Sequence, residues 1–431
     1  MSPEAKRNGP QMFISFDADR IVRIASDHPI FVRGETQREI NGFDARKLVG
    51  KKLPHRFVKA EDYVVKQPSE LRIAVVCNWQ TKCGISTYSK YLVDALANQV
   101  KEIRIFSEHA PSTTGEDGEN VERCWNRGEC LVPLAHKILD WNPDFVIIQH
   151  EFGIFPNLFY FMQLMQLLEN VPYAVTLHSV YEHLDKIVYS NAIKNIIVHT
   201  QQGKDVLIKH GHNGDIHVVP HGCVHFDDVE EVWNLCHNPY TVLQFGFGFQ
   251  YKGVDKALEA IHYLKTSDKK FENIYYMYLL SENEHTRNVH NDYYKQLMAK
   301  VKALGLERNV AILRKFQTDQ MLNLYLRLAK LAIFPYINNP SNTVYAASGA
   351  IRIAMANKIP VIASDAHIFD DFQGVIPRPA NALGLANEID CVFSDNEYRK
   401  GIIARSQLFL AQNSWEAVAR MYLEVYEKCR S

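Results

Sequence analysis

The sequence predicts an α/β protein made of two successive doubly wound halves, each a parallel sheet covered by helices on both faces. Three observations carry this. Apolar runs of strand length alternate with segments of helical periodicity, the β-α-β-α order that builds a parallel sheet. Most of the runs are continuously apolar, as strands covered on both faces must be. The series also breaks near Leu235 to Tyr240 (LCHNPY) and then starts again. At 431 residues the chain is too long for one core and long enough for two or three domains.

Taken in order, residues 1–69 stand apart from the rest. Short β-type runs (MFISF, RIVRIA, PIFVR) are broken by Gly34, Gly42 and Gly50. A basic stretch follows, in which Arg46, Lys47, Lys51, Lys52, Arg56 and Lys59 oppose only Asp44. The expectation is a small β-rich appendage that ends in the linker Lys66-Gln67-Pro68-Ser69. From Leu71 the strands LRIAVVCN, EIRIFS, FVIIQH, YAVTLH, NIIVHT and IHVVP build the first half, residues 70–238. After the first of them, Ser86 or Thr87 is expected to cap a helix. Its Tyr88, Tyr91, Leu92, Ala95 and Leu96 recur with helical period. TVLQFG, IYYMYLL, VAILRKF, LAIFPY and PVIAS build the second half, residues 239–413, with helices at 254–265, 291–304, 318–329 and 349–357. The tail from Ser414 (SWEAVARMYLEVYEKC) reads as an amphipathic helix, 414–431, with no strand after it; it is placed to cross back onto the first half.

Composition excludes several classes. Hydrophobic residues at 47% and charged residues at 23% describe a globular chain, neither disordered nor collagen-like. The 48 basic and 49 acidic side chains leave a formal charge of −1, so no whole-molecule basic field exists for nucleic acid. Eight cysteines show no C-x-x-C pair and no zinc spacing, and read as scattered thiols in a reducing compartment. The N-terminus lacks a signal-like apolar stretch, and no window reaches the ~18 apolar residues of a membrane span. The richest window, Leu158 to Leu168, is a buried-helix candidate with two glutamines in it. The default expectation is a cytoplasmic protein.

Ligands of open parallel sheets bind at the carboxyl ends of the strands, so the residues just after each strand are the candidates. After the first strand comes Asn78 to Ser86, where Gly84 beside a helix start lets backbone N–H groups approach an anion. It lacks the G-K-[ST] of a P-loop and the three glycines of a dinucleotide fingerprint. Gln149-His150-Glu151 ends another strand, and His178 ends the next. In the second half, FGFGFQYKG has its third glycine two places late for a dinucleotide site. Lys252, next to Gly253 at a helix start, reads instead as a cation for a phosphate. Ser348-Gly349-Ala350 opens a helix whose free N–H groups suit a diphosphate, with Arg352 adding charge. Asp17-Ala18-Asp19 has a metal-nucleotide form but lies in the appendage. His210 and His212 have no third ligand at sensible spacing, and Ser179 sits on no nucleophile elbow. No metal site is expected.

Together, CGISTYSKYLVDAL, PDFVIIQHEFGIF, VPYAVTLHSV, VVPHGC, FGFGFQYKGVDKALEAI and SGAIRIAMANKIPVIASD resemble the retaining glycosyltransferases of the GT-B fold, family 4 type. The resemblance runs from about Leu71 to the C-terminus. It implies two Rossmann-like doubly wound domains facing a cleft, the first for the acceptor and the second for a nucleotide-diphosphate sugar, UDP- or GDP-linked. By position, Gly84 resembles the loop glycine at the donor diphosphate and acceptor. His178 resembles the histidine at the transferred sugar, and Lys252 the lysine that neutralises the phosphates. Ser348, Gly349 and Ala350 resemble the phosphate-cradling helix start, and His150 and Glu151 fall on the acceptor side. Three positions depart from the pattern. Phe247 stands where an arginine is common, and Tyr345 and Ile353 stand where a pair of glutamates is common.

The function implied is metal-independent transfer of a sugar, with retention, to a hydroxyl of a polysaccharide, lipid-linked glycan or other glycoconjugate. The absent glutamates leave an inactive nucleotide- or glycan-binding scaffold as a second reading, and a sugar-nucleotide epimerase or hydrolase as a third. The basic run 43–59 adds a polyanionic acceptor, such as modified nucleic acid, as a further possibility.

Overall fold

The computed structural model describes residues 66–182, 193–226, 238–282, 287–338 and 343–430. The chain divides into two compact units, Met1–Val65 and Lys66–Ser431. The β-rich appendage, Asp17-Ala18-Asp19 and the basic run 43–59 lie outside the described residues. The second unit holds both predicted halves.

Its first sheet holds seven parallel strands. They are β1 (Arg72–Cys77), β2 (Glu102–Glu108), β3 (Val121–Trp125), β4 (Phe145–His150), β5 (Tyr173–Leu177), β7 (Asn195–Val198) and β8 (Asp215–Val218), with the short β6 (Ser179–Tyr181) standing outside the sheet. The order is β3-β2-β1-β4-β5-β7-β8. The central β1 is buried from Ile73 to Cys77, which is why LRIAVVCN carries no polar alternation. Ile73 pairs with Ile103 on one side and Phe145 on the other. Helices α1 (Gly84–Ala97), α2 (Val132–Trp141), α3 (Leu158–Leu167) and α4 (Gln201–Lys209) cover the two faces.

The second sheet, also parallel, runs β11-β10-β9-β12-β14. Its strands are β9 (Thr241–Phe247), β10 (Tyr275–Ser281), β11 (Val310–Arg314), β12 (Leu331–Phe334) and β14 (Val361–Ala363). Around it lie α5 (Val254–Ser267), α6 (Arg287–Ala303), α7 (Asp319–Leu328), α8 (Gly349–Ala356), α9 (Ala382–Ser394) and α10 (Asn396–Gln412). Each sheet has its own core. Val242, Tyr276, Ile333 and Met355 belong to the second, while the first half packs two clusters on opposite faces of its sheet.

The first helix differs from expectation. It starts at Gly84 with Cys83 as N-cap, so Ser86 and Thr87 lie in its first turn. The Ser86 hydroxyl is turned back to accept the Thr81 N–H at 3.0 Å, which closes the preceding loop instead of capping the helix.

Several ties join the halves, two of them extended. One is an antiparallel pair made by β6 and β13 (Val344–Ala346), in which Tyr345 sits opposite Val180. The other is α11 (Trp415–Arg430), which leaves the second half and buries Trp415, Val418, Tyr422 and Tyr426 among α1 and the first sheet. Trp415 lies so close to Gly222 that a Cβ there would fall 2.3 Å from the indole. No described helix is long and apolar enough to cross a membrane.

Candidate functional site

In both sheets strand order reverses beside the first strand of the half, and that switch point is where loops diverge to leave a crevice. In the first sheet the loops after β1 and β4 flank it, which places Gly84 and Glu151 there. In the second, the loops after β9 and β12 flank it, which places Lys252 and Tyr336 there. The β6–β13 pair brings the segment after His178 against the segment before Ser348. Residues far apart in sequence thus meet at two facing carboxyl edges.

Lys252 closes a short turn after β9 and is aimed by Gly253 (φ +63°), where a Cβ would fall 1.8 Å from the Pro335 carbonyl oxygen. Only glycine fits that left-handed, crowded position. The Lys252 ammonium donates to the Tyr336 hydroxyl at 2.7 Å and lies 3.9 Å from the centroid of its ring. Among the described residues no carboxylate bonds to it, and burial brings its pKa down to about 7. A half-buried cation with no anion among the described residues is primed for one.

Ser348 is the N-cap residue of α8, and its side chain makes no capping bond to the helix's first amides. Gly349 sits where a Cβ would come within 3.1 Å of His221 in the first half. Ala350 follows in the first turn, half-buried against the second core. Arg352 corrects an expectation. It is 1% exposed, and its guanidinium is spent on Asp371, the Ser348 carbonyl at 2.9 Å and the His221 carbonyl at 3.2 Å. It ties the start of α8 to the first half and has no charge turned to the cleft.

On the opposite wall Gly84 is exposed at the first turn of α1, with open space where a side chain would go. The Glu151 carboxylate accepts from the Phe152 N–H at 3.2 Å and the Tyr181 hydroxyl at 3.4 Å. Burial lifts its pKa, and bonds from Ser179, Phe152 and Tyr181 hold that rise in check. His150 departs from its acceptor-side reading. It is 1% exposed, packed among Phe152, Phe155 and Phe161, and burial depresses it to about 3. It belongs to the core beneath the site.

His178 is only partly exposed and belongs to a ring cluster. Tyr88 lies 4.7 Å from it, 5.2 Å from His199, 4.9 Å from His221 and 4.8 Å from Trp415. Burial, with His199 and His150 nearby, holds His178 well below its ordinary pKa. His199, His221, Tyr88 and Tyr336 had no place among the candidates. His199 and His221 obey the rule that selected His178, a polar residue at the carboxyl end of an apolar strand; Tyr336 and Tyr88 carry no such signal.

Tyr345 and Ile353 have structural work. Tyr345 lies in β13, 5.4 Å from His367, and packs on the first-half core; Ile353 packs on the second. At the carboxyl end of β11 a cavity of about 500 Å³ is lined by Tyr294, Arg314, Lys315, Phe316 and Tyr325. No group of three His, Cys, Asp or Glu among the described residues could hold a metal ion.

The architecture is the GT-B fold, two parallel α/β halves meeting at their carboxyl edges. The solved structures it resembles include HepE of Anabaena in complex with UDP and glucose, at 16% identity and TM-score 0.62 over 83% of this chain and 100% of that one. The sucrose-phosphate synthase of Thermosynechococcus elongatus matches at 15% and 0.64, over 83% and 99%. A glycosyltransferase from Rickettsia africae matches at 17% and 0.64, over 84% and 99%. No protein-family model matches the chain, and no curated protein does.

Proposed function

We propose that the chain is a retaining, metal-independent glycosyltransferase that moves a sugar from a nucleotide-diphosphate sugar to a hydroxyl acceptor. The observation that carries the reading is the link from Lys252, a half-buried cation with no carboxylate bonded to it among the described residues, through the Tyr336 hydroxyl to Ser348 at the start of α8, beside the switch point of the second sheet. Both favour a diphosphate, and both favour it more as the leaving group gains charge. The β11 cavity lies two strands from β9, roughly 10 Å at ordinary strand spacing. That is the reach from a diphosphate to its base, and Tyr294, Phe316 and Tyr325 offer faces to stack on. The UDP and glucose bound to HepE support the same class of donor.

In the reaction the bond from the anomeric carbon to the phosphate oxygen breaks, and the acceptor oxygen bonds to that carbon on the same face. The acceptor proton passes to the departing phosphate oxygen. The protein's tasks are to hold the diphosphate through Lys252, Ser348, Gly349 and Ala350 and to orient the acceptor. Gly84 leaves room at the reacting centre, His178 borders the sugar, and on the acceptor side the Glu151 carboxylate can accept a hydrogen bond from the acceptor's hydroxyl.

The test is a thermal-shift panel of UDP, GDP, ADP, TDP and CDP with their sugar conjugates, on wild type and Lys252→Ala. A ligand at a hundred times its Kd adds about 2.7 kcal/mol. One nucleotide stabilising the wild type and not the variant supports the donor site. No shift with any of them rejects it. A shift without transfer to any hydroxyl acceptor favours the inactive scaffold, the reading that Tyr345 and Ile353 motivate.

A further inference from the structure

His178 has both ring nitrogens engaged inside the protein, and the direction of each bond follows from what its partner can do. The chain starts at the Val219 carbonyl, 3.0 Å from His199 Nδ1. A carbonyl only accepts, so His199 Nδ1 carries a proton. His199 is 5% exposed, with His221 beside it and Arg352 near it from the second half; burial brings its pKa to about 4. It therefore holds one proton, and its Nε2 is a lone pair. That lone pair lies 3.4 Å from His178 Nδ1, which must donate. His178, likewise uncharged beside His199, His150 and Tyr88, keeps a lone pair on Nε2.

The Gln149 amide lies 2.8 Å from that nitrogen. With its oxygen turned to His178, two acceptors oppose each other and the amide nitrogen is buried without a partner. Turning the amide by half a revolution removes both faults. Its NH2 group then donates to His178, and its oxygen accepts from Tyr422, whose hydroxyl neighbours the amide. Tyr422 in turn accepts from Tyr88 at 3.0 Å and Thr176 at 2.8 Å, which uses its one donor and two lone pairs fully. Every bond from α11 to the Val219 carbonyl then runs in one direction.

We infer that His199 is a positioning residue that fixes His178 as its neutral Nδ1–H tautomer, with the Gln149 amide nitrogen donating to His178 Nε2. The inference deepens the glycosyl-transfer reading and, for its catalytic meaning, rests on it. Breaking the anomeric bond builds positive charge on the sugar ring, as in other oxocarbenium-like transition states. A neutral imidazole beside that ring spares it a like charge. A His178 free to titrate near its ordinary pKa of ~6.5 would charge as the pH falls.

The test is carried out on the full chain. Long-range proton–nitrogen correlation of the unliganded, histidine-labelled protein, with His178→Asn and His199→Gln to assign signals, should show both rings as Nδ1–H tautomers, unchanged from pH 6 to 8. An Nε2–H tautomer at His178, or titration within that range, overturns the inference. This readout needs no substrate, so it stands or falls apart from the proposed activity. Turnover is then followed with whichever nucleotide sugar stabilises the wild type. His199→Phe, whose ring cannot accept the His178 proton, should lose the Nδ1–H tautomer at His178 in the same spectra and lower kcat, with the donor KM changed less than about twofold. His199→Gln, whose carbonyl can still accept, should restore both the tautomer and the rate. An unchanged Nδ1–H signal at His178 in His199→Phe overturns the positioning role; should that variant not fold, the wild-type spectrum decides alone.

Discussion

Replacing Lys252 by methionine keeps the apolar stem and removes the ammonium, and it should act in opposite directions on stability and on donor binding. In the unliganded protein the ammonium is half-buried, with Tyr251 and Tyr336 as its ring neighbours and no carboxylate bonded to it among the described residues. Its pKa falls from 10.5 to about 7 on folding. Between those values the unfolded chain binds the proton and the folded chain does not, so stability rises with pH from about 7 towards 10.5. Below about 7 the folded state carries the whole penalty, about 2–4 kcal/mol after allowance for partial exposure. Lys252→Met should therefore melt a few degrees higher at pH 7.

Donor binding should go the other way. A hydrogen bond to a charged group is worth about 1.5–3 kcal/mol, so the variant should bind its nucleotide roughly 10- to 150-fold more weakly. The phosphates stabilise the charged lysine, so binding takes up a proton above pH 7. Wild-type affinity should fall up to tenfold per unit from pH 7 to 9, a window clear of the phosphate's own pKa near ~6. Lys252→Met and Lys252→Arg should both be flat there, the first weak and the second charged throughout. Calorimetry in two buffers of different ionisation enthalpy measures the proton directly. A flat wild-type profile with no proton uptake would refute the reasoning, and a Lys252→Met protein that melts lower would refute the stability half.

Other outcomes follow from the packing. Gly253→Ala forces a Cβ onto the Pro335 carbonyl in a left-handed turn; it should cost on the order of 2 kcal/mol or more in chemical denaturation and erase the nucleotide-induced shift. Gly222→Ala must displace Trp415, and should loosen α11 enough to expose its tryptophan to quenchers. Asp371→Asn leaves the Arg352 guanidinium buried and unpaired, and should cost about 3–5 kcal/mol in urea unfolding; a loss under 1 kcal/mol would mean the pair does not hold the start of α8. Deleting residues 1–65 should leave the nucleotide shift of 66–431 intact, since Lys66–Ser431 is a compact unit that holds both sheets and every residue of the candidate site. If the basic run 43–59 meets a polyanion, that deletion should flatten the salt dependence of polyanion binding, and unchanged binding would exclude it.

What was legible in the sequence followed from local rules. Buried parallel strands must be continuously apolar, so β1, β4, β5, β9, β10 and β12 stood out without partners being known. A residue that ends such a strand must lie at the carboxyl edge, so His178 could be picked and Lys252 placed at a helix start. The short β6 and β13 were invisible because three residues carry no period, and only pairing across the two halves makes them strands. His150 and Arg352 were misjudged for a related reason. Both sit beside strand or helix ends that face the cleft, yet Phe152, Phe155 and Phe161 around His150, and Asp371, 19 residues from Arg352, turned their side chains inward.

By itself, then, the sequence determined the two-half parallel architecture and the stations at which chemistry could occur, because backbone hydrogen bonding and burial of apolar runs depend on short stretches of chain. The tertiary structure decided the rest: which charges remain unpaired, which histidines share a proton chain, and which glycines touch a distant ring. Those properties belong to neighbours up to 334 residues apart, as in the Tyr88–Tyr422 bond. A side chain's charge state depends on what surrounds it in space, and a linear pattern does not encode those surroundings.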